Sequence, residues 1–297
     1  MNPLLNEALA AGRGVLARRD YPELAGSIDV ARRNGQLKSI LPGVYAETAA
    51  AARLDIRCRA VMVADPQAVV AGSAAALLHG WDEIDEPAVV CAASNSLHGR
   101  IGFKFERRTI PGRLVRKLPG IRITSRALTA VDLVPQLGSA IIDQALRRKV
   151  PLDDLHQALA LTPNRPGNRL RREVLADSRD RPWSPAERAS HRALRAHGVR
   201  GWVANYAVIS AAAAPVMAYC DIAFPRLKLA IEIDGDAHHA SKAANRRDRL
   251  RDQELARLGW QVVRVSAHCV MADPDGFVAL VRDLVRVRAR QLGVPVE

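Results

Sequence analysis

Aromatic residues are scarce. Phe, Trp and Tyr together make up 4% of the chain, so the core must be built mainly from Ala, Val, Leu and Ile. Cysteine is scarce too. Cys58, Cys91, Cys220 and Cys269 include no pair at CxxC spacing, which argues against a zinc ribbon or a dithiol redox motif. They read as buried thiols of a reducing compartment. No apolar run approaches the ~20 residues a membrane span needs. The first residues lack the apolar core and cleavage site of a signal peptide, so the chain is expected to be cytoplasmic, without a membrane partner. GxxxxGK[ST] and GxGxxG are missing, which removes the usual nucleotide cradles. No GxSxG elbow is present, and the Cys and His residues make no zinc set. Acid is in short supply as well, with 31 Asp and Glu against 44 Lys and Arg, a net charge of +13 and a pI near 10.4.

That surplus of positive charge favours a polyanionic partner, because Lys and Arg that neutralise phosphates release condensed counterions. A nucleic acid is the expected partner. With 297 residues, 48% hydrophobic and 25% charged, the chain has ordinary globular composition and room for two or three domains.

Residues 1–46 read as a small helical unit closed by a hairpin. Pro3–Ala11 and Tyr21–Asn34 carry helical apolar spacing, and Gly35 follows the second as glycine does past a helix end. Two short β-like runs then flank Pro42-Gly43, a turn dipeptide. Helices followed by such a wing suggest a winged helix-turn-helix, with Arg32, Arg33 and Lys38 placed to meet DNA. Residues 47–180 form a mixed α/β middle region. Helices are expected at Ala49–Ala64, at Ser73–Leu78 with Ser73 as N-cap, from Ser125 through Val134, and at Ser139–Arg148, Leu152–Leu161 and Asn168–Ala176. Strands are expected at Val89–Ala92, Ile101–Arg107 and Ile121–Ile123. Between Arg100 and Arg126 stand nine Lys or Arg, Lys104, Arg107 and Arg108 among them, against the single acid Glu106. On a strand-and-loop platform they form a candidate phosphate-tracking face. The polar, proline-terminated Asp177–Pro182 marks a boundary.

From Ser184 the pattern changes. Ser184-Pro185-Ala186-Glu187 is a capping box opening a helix. Strands follow at 201–209, Val216–Phe224 and Leu227–Asp234, the last two joined through Pro225-Arg226. A long helix spans Ser241–Leu258, then a strand Gln261–Val265 and a helix Pro274–Leu292. The order is α-β-β-β-α-β-α. Glu232 and Asp234 share one face of their strand, and hairpin pairing would bring Asp221 to the same end. Carboxylates gathered there repel one another unless a cation neutralises them, and hard oxygen ligands suit Mg²⁺ or Mn²⁺. Such an ion polarises a phosphoryl oxygen and makes hydroxide available near neutral pH. His238 and His239 follow within reach, and Glu187 falls in the same compact frame.

The pieces AER in the first helix, YCDIAFPRLKLAIEIDGDAHH across the hairpin, RRDRLRDQELARLGW and QVVRVS make Ser184–Leu292 resemble the restriction-endonuclease-like PD-(D/E)xK superfamily, specifically its Vsr-like (very-short-patch-repair-like) members. The resemblance implies a three-layer α/β/α domain over 181–297 and a metal-dependent endonuclease acting on DNA in defence or repair. It implies that Asp221 and Glu232 hold the metal, with Glu187 supporting them. It further implies that Asp234 and a histidine, His239 rather than His238, replace parts of the usual chemistry. In the general pattern a Lys stands where this chain has Asp234. Lys228, Lys242 or Arg246 are candidates to substitute for it, and Lys242 and Arg246 also join the expected DNA-binding set. Residues 1–46, with GQLKSILPGVYA, and the segments VVAGSAAALLHGWD and TSRALTAVDL resemble AbiEi-type antitoxins, DNA-binding repressors of type IV toxin–antitoxin systems. That resemblance supports the alternative of a repressor with a degenerate nuclease domain, whose partners would be a cognate toxin or its own promoter. The fold class expected overall is multi-domain α+β.

Overall fold

The computed structural model describes residues 2–209, 216–234 and 242–295, with the side chains of 216, 217 and 242–249 outside the description. The chain divides into two compact units. The first holds Met1–Leu137 and Asp153–Arg171, and the second Gly138–Leu152 and Arg172–Glu297. Mixed helices and sheets make both, as the expected α+β class requires. Among the described residues no helix is long and apolar enough to cross a membrane.

The first unit begins with α1 (Pro3–Ala11). Asn2 caps it by accepting from the Leu4 amide, and Pro3 takes the first turn, where its missing N–H costs nothing. Strand β1 (Val15–Ala17), two 3-10 turns and α2 (Ala25–Arg33) follow, then the hairpin of β2 (Leu37–Leu41) and β3 (Val44–Glu47). Gly43, at φ 70°, turns the chain after Pro42 as a type II turn demands. The sheet order is β1-β3-β2. Leu16 and Tyr45 pack with Leu5, Leu9 and Ile28. Their neighbours Val15, Ala17, Val44 and Ala46 pack into a second core.

That second core is shared by α3 (Leu54–Ala64), β4 (Val69–Ala71), α4 (Gly72–Leu78), β5 (Val90–Ala93), β6 (Phe103–Glu106) and the hairpin of β7 (Val115–Leu118) and β8 (Ile121–Thr124). The five strands lie in the order β6-β5-β4-β8-β7. Helix α3 begins at Leu54 rather than Ala49, and Ala71 rather than Ser73 holds the N-cap position of α4, without a side-chain bond. Ser125 caps α5 (Arg126–Leu137) as expected, accepting from the Leu128 amide at 3.2 Å. Next come α6 (Ala140–Arg147), assigned to the second unit, α7 (Leu152–Ala160) of the first, and α8 (Asn168–Ala176), within which the units divide.

The second unit continues with α9 (Pro185–Ala196), β9 (Val203–Ile209), β10 (Val216–Phe224), β11 (Leu229–Asp234), α10 (Lys242–Arg257), β12 (Gln261–Ser266), α11 (Ala267–Ala272) and α12 (Pro274–Leu292). Between β10 and β11 the expected tight turn is a 3-10 turn, closed by Lys228 at φ 46°. The sheet runs β12-β11-β10-β9. Strands β9, β10 and β11 pair antiparallel, and β12 joins β11 in parallel. A parallel partner needs a crossover, which α10 supplies. On one face Ile222, Phe224, Leu229, Ile231 and Val265 pack with Leu194 of α9, Val270 of α11 and Phe277 and Val281 of α12. On the other, Ala218, Cys220, Ala223 and Ala230 pack with Leu255 of α10.

Candidate functional site

The opening of α9 draws Glu187 inward. The Ser184 hydroxyl accepts from the Glu187 amide at 3.1 Å. In return Glu187 Oε2 accepts from the amide of Trp183, one residue before the cap, at 2.8 Å. Glu187 is only 6% exposed. Burial raises its pKa, against the Trp183 and Ser184 hydrogen bonds, and the charges of Asp143 and Glu232 push the same way.

Asp221 sits where strand alternation fails. Cys220 and Ala223 face α10, yet Ile222 belongs to the opposite core, whereas regular pleating would put Cys220 and Ile222 on one face. In the β9–β10 register Cys220 lies opposite Tyr206 and Ile222 opposite Ala204, which leaves Asn205 across from Asp221. Asn205 has φ 46°, an uncommon left-handed conformation outside glycine. Its Nδ2 donates to the Arg181 carbonyl at 2.8 Å, while its Oδ1 is buried without a partner. Backbone strain of this kind collects beside functional groups. Asp221 Oδ2 accepts from the Ile233 amide of β11 at 2.8 Å. Burial pushes the carboxyl up to about 8, helped by the charges of Glu187 and Glu232 and opposed by the Ile233 amide and Arg251.

Glu232, also 6% exposed, is bound on one oxygen only. Its Oε2 meets Arg251 Nη2 of α10 at 3.0 Å, and Oε1 is buried without a partner. Burial raises its pKa and Arg251 opposes the shift. Asp234, two residues on, is half-exposed. Its Oδ2 lies 3.7 Å from Arg264, which also pairs with Asp252 at 2.7 Å. Glu187 and Glu232 are thus close enough to raise the pKa of Asp221, Glu232 raises that of Glu187, and Asp234 lies at the rim. Among the described residues no group of three or more Asp, Glu, His or Cys is arranged to hold a metal. The donor chemistry nonetheless fits a divalent cation: hard oxygens, a buried Glu232 Oε1 without a partner, and an Asp221 carboxyl held protonated by burial and, secondarily, by like charges that a cation would offset.

His238 and His239 lie outside the described residues, as do the side chains of Lys242 and Arg246. Lys228 donates to the Leu258 carbonyl at 2.9 Å, beyond the turn that opens β11, and so stands away from the end of the strand that carries Asp234. Three residues of the site went unread in the sequence. His191 follows Glu187 by four residues on α9. It is buried against the Trp202 ring, and neither ring nitrogen has a hydrogen-bond partner of normal geometry. Burial pushes it down to about 4, with the nearby Asp221 main chain opposing only in part, so it is neutral. The i,i+4 spacing from Glu187 was the available signal. Arg251 was hidden in a basic helix. Asn205 left no trace, since its importance lies in its backbone.

In the first unit Arg32, Arg33 and Lys38 are exposed around one depression with Asp29 and Ser39. Arg32 also lies over the Tyr45 ring, 5.4 Å from its centroid. Lys104 is exposed. Arg107 donates to the Asn95 carbonyl. Arg108 is paired with Glu106 at 2.9 Å and Asp132 at 2.6 Å, which leaves its guanidinium little to offer a phosphate.

Residues 189–285 match the family model REase_MTES_1575, a restriction-endonuclease-like family. The match takes in Asp221, Glu232, Asp234, His191 and Arg251 and begins just after Glu187. Two curated proteins are similar over most of the chain. They are the uncharacterized proteins MT2308 of Mycobacterium tuberculosis strain CDC 1551 and Rv2248 of strain H37Rv. Each is 27% identical over 268 residues, which cover 88% of this chain and 97% of the relative. Alignments of that length include both units. The C-terminal part is therefore restriction-endonuclease-like, a likeness that points to nuclease-type chemistry.

Proposed function

We propose that the chain is a DNA-binding, Mg²⁺- or Mn²⁺-dependent endonuclease, with its phosphodiester-hydrolysing site at the Asp221 end of β10. The observation that carries the reading is the half-buried Asp221 between buried Glu187 and Glu232, with Asp221 and Glu232 inside a segment similar to restriction endonucleases and Glu187 just before it. Asp221 and Glu232 would hold the ion, with Asp234 at the rim and Glu187 supporting. When bound, the ion polarises the phosphoryl oxygen and lowers the pKa of its water. The chain's own groups do the rest. The Ile233 amide orients the Asp221 carboxylate. Arg251 keeps a positive charge beside Glu232, near the strand end where Asp234 replaces the superfamily's Lys, and fixed charge there stabilises a developing phosphorane. His239, with His238, remains the candidate general base.

The element order α1, β1, α2, β2, β3 supports reading residues 1–46 as a winged helix that grips DNA through Arg32, Arg33 and Lys38. Residues 47–180 would form the middle domain, and 181–297 the three-layer nuclease-like one. A second reading, a DNA-binding regulator with a degenerate site, is favoured by one observation: Arg251 already neutralises Glu232.

The test is cleavage of plasmid, single-stranded and mismatched DNA with Mg²⁺, Mn²⁺ or EDTA. Metal-dependent products, and binding that weakens steeply with salt, are the expected result. Tight, salt-sensitive DNA binding with no product under any metal would instead establish the regulator.

A further inference from the structure

Beside the carboxylates lies a patch that metal chemistry does not use. The rings of Trp183 and Tyr219 meet edge to face, with centroids 5.4 Å apart and planes at 64°. Lys149 Nζ lies 4.2 Å from the Trp183 centroid and 4.6 Å from that of Tyr219. Tyr219 is 39% exposed although β10 is an interior strand of its sheet. Lys149 is exposed and Trp183 half-buried. In a chain with 4% aromatics, two large rings set at the surface under one ammonium are a conspicuous use of scarce residues.

Two further features argue against simple filling of space. Lys149 follows α6 with φ 63°, the position just past a helix end where glycine is favoured because a β-carbon is strained. A lysine stands there despite that strain. The patch is also fastened to the site. The Trp183 amide holds Glu187 Oε2, and Tyr219 precedes Asp221 by two residues on β10, about 7 Å along a strand.

Two π-faces and a mobile ammonium match the parts of one nucleotide: an aromatic ring accepts a base, and lysine accepts a phosphate. Stacking needs an unpaired base, because a base inside a duplex already has both faces covered. We propose that Trp183, Tyr219 and Lys149 form a subsite for an unpaired nucleobase next to the scissile phosphate. The base stacks on an aromatic ring, and Lys149 turns from the rings to the adjoining phosphate. This subsite would select frayed, bulged or single-stranded nucleic acid over a perfect duplex. It rests on the nuclease reading for its neighbour, the scissile phosphate.

Full-length protein in EDTA, where cleavage is blocked, is titrated by fluorescence anisotropy with four labelled oligonucleotides: single-stranded DNA, single-stranded RNA, a perfect DNA duplex and the same duplex with one bulged base. Trp183→Leu and Tyr219→Leu should each weaken binding of single-stranded and bulged DNA by about tenfold. Perfect-duplex affinity should change less than about twofold. Trp183→Phe and Tyr219→Phe, which keep a ring, should bind like the unmodified protein. Lys149→Gln should lower the slope of log affinity against log salt by about one on single strands, which keeps the subsite testable if a leucine variant misfolds. The RNA arm tells which sugar the subsite admits. Leucine variants that bind every probe like the parent, or lose perfect-duplex binding equally, would overturn the subsite. Cleavage of the same probes by the parent protein in Mn²⁺ separates the two ideas. Loss of unpaired-base binding without any cleavage keeps the subsite and removes the nuclease, whereas cleavage with unchanged binding does the reverse.

Discussion

Asp221→Asn is expected to abolish cleavage and stabilise the protein at once. Loss of a cation's carboxylate ligand should lower the single-turnover rate by at least about 10³-fold, near 4 kcal/mol. The stability effect has the opposite sign. Folded Asp221 keeps its proton up to about pH 8, whereas an ordinary aspartate releases it near 3.8. The native state therefore binds the extra proton between those values. Stability that is present in acid is lost as pH rises from about 4 to 8, because the native fold must then carry a buried carboxylate beside Glu187 and Glu232. Asparagine retains an acceptor for the Ile233 amide but never ionises. Above pH 8 the variant should exceed the parent by on the order of 3 kcal/mol in urea unfolding, and the gap should close toward pH 4. Added Mn²⁺ should recover stability for the parent only, since a ligand stabilises the state that binds it. A variant equal to or weaker than its parent at pH 8.5 would show that Asp221 is not held protonated by its burial beside Glu187 and Glu232.

Arg188→Met should be among the most damaging changes in the second unit. Arg188 is 3% exposed on α9. Its guanidinium donates twice to the buried Asp143 of α6, through Nε and Nη2, as well as to Asp177 at 3.0 Å and to the Ser178 hydroxyl at 2.8 Å. Burial holds Asp143 up to about 6 even with Arg188 against it. Methionine fills much of the space and leaves Asp143 without its cation, a loss of about 3–5 kcal/mol. The cost should shrink near pH 5, where Asp143 can take up a proton. A second change, Asp143→Leu, should return most of the stability, because an apolar pair can replace a buried ion pair. Urea denaturation of the two variants at pH 5 and pH 8 reads this directly. A single-variant loss below about 1 kcal/mol would mean that Arg188 is not what holds α6 to α9.

Particular residues explain how far the sequence could be read. Pro3–Ala11, Asn168–Ala176, Val216–Phe224 and Pro274–Leu292 coincide with the helices and strand observed there, because each carries strong periodicity or a clear cap or turn. Three strands were not foreseen. Val15–Ala17 and Val69–Ala71 are buried on both faces, and three apolar residues without alternation carry no period. Val115–Leu118 is half-exposed and basic. It nonetheless pairs with Ile121–Thr124 across Pro119-Gly120, with Leu118 opposite Ile121 and Gly120 at φ 76°. That is the same Pro-Gly signal that marked the turn at Pro42-Gly43. In the site, the late-strand position of Asp221 and the Glu232–Asp234 spacing were legible because they depend on strand period alone. The role of Arg251 depends on how α10 lies over the sheet, and Asn205 acts through a backbone angle. Neither property is written in residue type. Glu187 was legible as a capping residue, yet its carboxylate reaches the Trp183 amide, one residue further back than the usual box.

The central claim is that Asp221 and Glu232 together hold a catalytic divalent cation. Mn²⁺ titration at pH 7.5, followed by electron paramagnetic resonance, tests it without relying on a known substrate. One tight Mn²⁺ per chain is expected, weakened at least about tenfold in Asp221→Asn and again in Glu232→Gln. Arg251→Gln should tighten it, because the cation no longer competes with a guanidinium for Glu232. An unmodified protein that leaves Mn²⁺ free at millimolar concentration, or variants that bind it equally well, would contradict the account.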